Sequence, residues 1–157
     1  MNWIKQLFGG WREKRQVSMS AKLDHVELSE AHLVLGLEID WGNKTNEPIP
    51  IKEIKVKIHL DGRGGEPLRF YPLDRFGRVL NKARILKMPV RPLTLPAGEV
   101  HTEHLRFISQ EVVDIPVGGY AVDIELTDTS NNSYASRTKI RVENGIKYRR
   151  SEEWQEG

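Results

Sequence analysis

The chain has 157 residues, with 24 lysines and arginines against 22 acidic residues, a formal charge of +2 and no cysteine. That length suits one domain with a core of its own, and the missing thiols exclude disulfide frameworks, thiolate zinc sites, iron–sulfur clusters and cysteine nucleophiles. Hydrophobic residues at 38% and charged ones at 29% fit a globular protein and exclude a disordered one.

The N-terminal stretch MNWIKQLFGGWREKR is interrupted by Lys5 and Gln6 and runs at once into Arg12, Glu13, Lys14 and Arg15. It therefore lacks the apolar run of a secretory signal. On a helical wheel of roughly 100° per residue, Trp3, Ile4, Leu7, Phe8 and Trp11 share an arc of about 140°. Residues 1–16 are thus expected to form an amphipathic helix with a basic flank. Its aromatic face needs cover, from its own domain, a membrane interface or a partner's groove.

From Val17 onward the apolar period is two, the period of strands. Met19, Ala21 and Leu23 begin the pattern, which then slips by one residue to Val26 and Leu28. Such a slip predicts a β-bulge near Asp24 and His25. Leu33, Leu35, Leu37, Ile39 and Trp41 form a second strand, and the turn GNKTNEP leads to a third through Ile54, Val56, Ile58 and Leu60. In the second half, Leu93 to Leu95 precede the turn Pro96 to Glu99, and a strand with Leu105 and Phe107 follows. Tyr120, Val122, Ile124 and Leu126 then alternate with acids, and DTSNNS closes a hairpin with Tyr134 to Val142. About seven strands and helices only at the two ends predict an all-β, antiparallel sandwich over 17–143. A charged tail occupies 144–157.

The segment IPVGGYAVDIELTDTSNNSYASRTKIRV, Ile115 to Val142, resembles the last two strands of an immunoglobulin-like or fibronectin-type-III-like domain. WGNKTNEPIPIKEIKVKI resembles an early hairpin of the same superfold. The resemblance implies an immunoglobulin-like β-sandwich in which Tyr120 bonds back to the preceding backbone corner. The cysteine pair of antibody domains is absent, so Trp41 lacks a disulfide to pack against. The superfold hosts many functions and selects none.

Between Arg63 and Arg91 lie Arg63, Arg69, Arg75, Arg78, Lys82, Arg84, Lys87 and Arg91 against Glu66 and Asp74, a local charge of +6. Phe70, Tyr71 and Phe76 interleave them, and the strand alternation breaks down. Arginines among aromatics suit phosphates, anionic lipid or an acidic partner. The plainer reading is a solvated connection, or an edge strand guarded by cations. His101-Thr102-Glu103-His104 does not form a metal site on a flat strand, because His101 and Glu103 share one face and His104 takes the other. The acid pairs Glu38/Asp40 and Asp123/Glu125 have the spacing of a strand's solvent face.

These features predict a non-catalytic interaction or docking module of the cytoplasm or its membrane surface, with no cofactor or metal. Its expected contact surfaces are Trp3, Ile4, Leu7, Phe8 and Trp11 for a membrane or partner, and Arg69, Arg75, Arg78, Lys82, Arg84, Lys87 and Arg91 for an anion or partner. A protein partner leads. The alternatives are a polyanion binder, for nucleic acid or acidic polysaccharide through 63–91, and an enzyme with a loop-built site.

Overall fold

The computed structural model describes residues 17–81, 84–87, 93–109 and 111–143. The expected N-terminal helix, the tail, and Lys82 and Arg91 lie outside these residues. The described chain is all-β and antiparallel. Its strands are β1 (Val17–Leu28), β2 (Leu33–Asn43), β3 (Ile49–Ile58), β4 (Leu68–Leu73), β5 (Arg78–Asn81), β6 (Arg84–Lys87), β7 (Leu93–Leu95), β8 (Val100–Ser109), β9 (Gly118–Asp128) and β10 (Ser133–Val142).

Eight strands make one sheet in the order β1-β2-β8-β4-β3-β9-β10, with β7 paired to the start of β3, while β5 and β6 form a separate pair. Strand β4 turns the corner of this sheet. Its first half, Leu68 to Phe70, pairs with Ile58 to Val56 of β3, and its second half, Phe70 to Leu73, pairs with Ser109 to Arg106 of β8. The ends of the path, β1 and β10, are six antiparallel steps apart and so run in the same direction. They come together where the Ser136 hydroxyl donates to the Met19 carbonyl at 3.0 Å, which leaves the sheet nearly closed like a barrel.

The odd residues of β2, from Leu33 to Trp41, are completely buried, as are Ile54, Val56 and Ile58 of β3 and Val122, Ile124 and Leu126 of β9. Phe70 and Phe107 complete the largest side chains of this core. The expected bulge is present: the β1–β2 register shifts between Leu23 and His25, so Val26 turns inward and is buried. The expected final hairpin pairs Ser133–Val142 with Gly118–Thr127. The Tyr120 hydroxyl donates to the Pro116 carbonyl, pinning the corner before β9.

Among the described residues ten strands stand where alternation predicts about seven. The additional three, β4 to β6, all fall in the basic stretch. In β4 both Pro72 and Leu73 are buried, because the strand passes between two neighbours and is covered from outside. Over Leu68 to Pro72 the burial still alternates, but a proline within so short a run demotes it as a strand, and Leu73, covered from outside, ends the alternation.

Candidate interaction surfaces

The structure divides the arginines of the basic stretch rather than gathering them. Arg63 pairs with Glu111 at 2.6 Å. Arg75 pairs with Glu103, whose other oxygen lies 3.1 Å from His101 Nε2. Arg78 lies over the ring of Tyr71, 5.2 Å from its centroid, an arrangement that attracts a cation to the negative face of the ring. Arg69 points outward from β4 with only a 4.0 Å approach to Glu66. Arg84 and Lys87 are exposed on β6. Sequence reading missed Arg106, whose Nε donates to Asp74 Oδ2 at 2.7 Å. It sits on a strand outside the basic stretch, and only the fold brings it there.

A tight corner sets the hairpin in place. Asp74, Phe76 and Gly77 have φ angles of 62°, 54° and 81°, and such values are costly for residues other than glycine. Phe76 packs against the core, and the Asp74 amide donates to the Arg78 carbonyl, so packing and hydrogen bonding hold the turn. Beyond it β5 and β6 pair Arg78 with Lys87, Val79 with Leu86, Leu80 with Ile85 and Asn81 with Arg84. Leu80 packs on Val34, Leu73 and Ile108, a small apolar cluster on the outside of the sheet. The hairpin is therefore fastened from the apolar side by one leucine. Ile85 remains 49% exposed.

Beside the hairpin's corner, His25, Gly36, Arg106 and Leu73 form one row across β1, β2, β8 and β4. A cleft of about 360 Å³ opens over this row, rimmed by Asp24, Asp74, Arg75 and His104. Gly36 is needed there, since a Cβ at that position would come within 2.3 Å of the His25 ring. His25 Nε2 lies 3.5 Å from Glu27. Across the cleft, the Asp24 carboxylate is 3.0 Å from His104 Nδ1, and that hydrogen bond keeps the exposed imidazole protonated to higher pH than usual. His101 and Glu103 meet while His104 turns to Asp24, as the strand period requires. Among the described residues no three His, Asp or Glu side chains lie close enough to hold a metal ion.

The acid pairs face outward, and Asp123 and Glu125 have basic neighbours. Asp123 accepts from Arg137 at 2.7 and 3.0 Å and lies 2.6 Å from His59 Nε2. Arg137 first, then His59 against some desolvation, holds its carboxyl at about 2. Lys57 approaches Glu125 at 4.0 Å, and Asp40 accepts from the Thr102 hydroxyl at 2.6 Å. At the far end Asp128 is buried. Burial opposes its charge, but the Asn132 amides, the Tyr134 hydroxyl and the Ser130 amide together hold the carboxyl below its ordinary range. These bonds stiffen the β9–β10 turn.

Among the described residues no helix is long and apolar enough to cross a membrane. No protein-family profile matches the chain, and no curated protein matches it. Among solved structures it is similar to a FixG-related protein from Vibrio parahaemolyticus, at 15% identity and a TM-score of 0.42 over 81% of this chain and 98% of that one. The N-terminal domain of PorA is matched at 12% identity and a TM-score of 0.36, over 80% and 96% of the two chains. The sporulation control protein Spo0M from Bacillus subtilis is matched at 15% identity and a TM-score of 0.35 over 83% of this chain, which spans 51% of that longer one. Likenesses of this size assign no family and carry no functional argument.

Proposed function

We propose that the chain is an immunoglobulin-like domain, residues 17–143, that works as a non-catalytic docking module in the cytoplasm beside a membrane. Support for the sandwich comes from β4. Dividing the sheet there yields β1-β2-β8-β4 and β3-β9-β10, the order of the two sheets in constant-type immunoglobulin domains. The Tyr120–Pro116 bond has the form of the tyrosine corner of that superfold.

The observation that carries the docking reading is the β5–β6 hairpin. It stands outside the barrel, is fastened by Leu80, and leaves Ile85 half exposed between Arg84 and Lys87. A two-stranded hairpin is marginal in water unless something covers it. The carboxylates paired with Arg63 and Arg75 favour this reading over a polyanion binder, because fewer cations remain to neutralise phosphates. The second contact surface in this proposal is the aromatic face of Trp3, Ile4, Leu7, Phe8 and Trp11, which would hold the domain at an anionic bilayer.

Vesicle flotation with the full chain tests it, using anionic and neutral vesicles at low and high salt. Wild type and Arg84→Glu/Lys87→Glu should float with anionic vesicles, whereas Trp3→Ala/Phe8→Ala/Trp11→Ala should stay below. If the triple variant floats like wild type, or wild type never floats, the membrane-proximal reading is overturned.

A further inference from the structure

We infer that the outer edge of β6 takes up an extended acidic peptide by strand addition. The inference rests on the docking reading and specifies the partner's chemistry. Among the described residues β6 pairs with β5 alone, so its other edge offers a row of backbone donors and acceptors to an incoming strand. The hairpin is apolar on both faces. Leu80 and Ile85 share one, Val79 and Leu86 the other, and none of the four is fully buried. A third strand would extend both faces and cover side chains that the hairpin leaves in water.

Charge selects the occupant. Arg78 and Lys87 stand directly opposite each other in the register, a pairing of like charges that disfavours the bare hairpin. Arg84 adds a third cation. Among the described residues no carboxylate pairs with any of the three, while the nearby Asp74 and Glu103 are engaged by Arg106 and Arg75. An incoming strand carrying Glu or Asp beside Arg84 and Lys87 supplies the missing countercharge, and its apolar residues meet Ile85 and Leu86. A phosphate backbone would supply charge but no matching peptide ladder.

The test is a titration of the full-length protein with a synthetic peptide of about eight residues, a typical strand length, built from the repeat Glu-Val-Val-Glu, because Arg84 and Lys87 lie on opposite faces of β6 with Ile85 and Leu86 between them. Amide exchange at residues 84–87 should slow by about tenfold on binding, as expected when solvent-facing amides join a ladder. Arg84→Glu/Lys87→Glu should weaken affinity at least about tenfold, roughly the loss of 1.4 kcal/mol, and Arg84→Lys should retain it. Circular dichroism establishes that each variant is folded. Binding that leaves residues 84–87 unprotected would overturn the inference, as would affinity unchanged by charge reversal. Equal binding and equal protection by an oligonucleotide of the same charge would overturn it in favour of polyanion recognition. Failure here alongside flotation that depends on the aromatic face removes strand addition and leaves membrane docking standing.

Discussion

Strand β2 and the β5–β6 hairpin are made of similar residues and meet opposite fates. In β2 the inward residues Leu33, Leu35, Leu37, Ile39 and Trp41 are wholly buried, and even the outward Val34 has a cover in Leu80. In the hairpin Val79, Leu80 and Leu86 are partly buried, and Ile85 is half exposed. The difference lies in neighbours rather than in composition. β2 is hydrogen-bonded on both edges, by β1 and β8, and closes a core; the hairpin has one partner within itself and one anchoring leucine. Apolar surface left in that position is surplus to the stability of the barrel.

The sharpest way to break this comparison is truncation on each side of it. Trp41→Ala should cost about 3–5 kcal/mol in denaturant unfolding, as expected for a large buried aromatic. Ile85→Ala should fall within about 0.5 kcal/mol of wild type, the range of surface substitutions. Similar losses at both positions would mean that the hairpin belongs to the folding core. A second test concerns the outer face, where His25 lies against Gly36. Gly36→Ala should destabilise by about 1–3 kcal/mol, the usual cost of overpacking. Adding His25→Ala should return part of that loss, because the two sites share one space and are not additive. Full additivity would contradict the contact.

The smallest effect is electrostatic. The Asp123 carboxyl sits at about 2 in the folded protein, below its ordinary 3.8, chiefly through Arg137. A carboxylate depressed on folding stabilises the native state above its unfolded pKa, and the contribution disappears as pH falls through the folded value. Wild type should therefore exceed Asp123→Asn in stability at pH 6, with the gap narrowing between about pH 4 and 2. Thermal melts across that range measure it, and a gap independent of pH would assign the effect to packing. The exposed setting of Arg137 keeps the difference modest.

Much of the barrel was legible in the chain. The alternation from Leu33 to Trp41, the slip after Leu23, the turn at Pro96 to Glu99 and the final hairpin each report a local rule: one face on a core, or a turn whose residues tolerate tight geometry. Strand β4 was not legible, because its run is short, carries Pro72, and loses its alternation at Leu73, which Leu80 covers from outside. The same holds for the division of the basic stretch. Arg75 and Arg63 look free in sequence and are paired in space, with Glu103 and Glu111 at separations of 28 and 48 residues.

An all-β antiparallel chain, its main strands and the bulge could be read from the amino-acid order, since each depends on residues close together along the chain, while the Tyr120 corner was implied by the resemblance to immunoglobulin-like domains. Tertiary structure alone decided that β4 joins the two halves of the sheet, that Arg106 meets Asp74, and that Ile85 stays half exposed while Leu80 packs on the sheet. These are questions of which distant surfaces meet, and the free energy of covering them depends on three-dimensional neighbours that a one-dimensional period does not record.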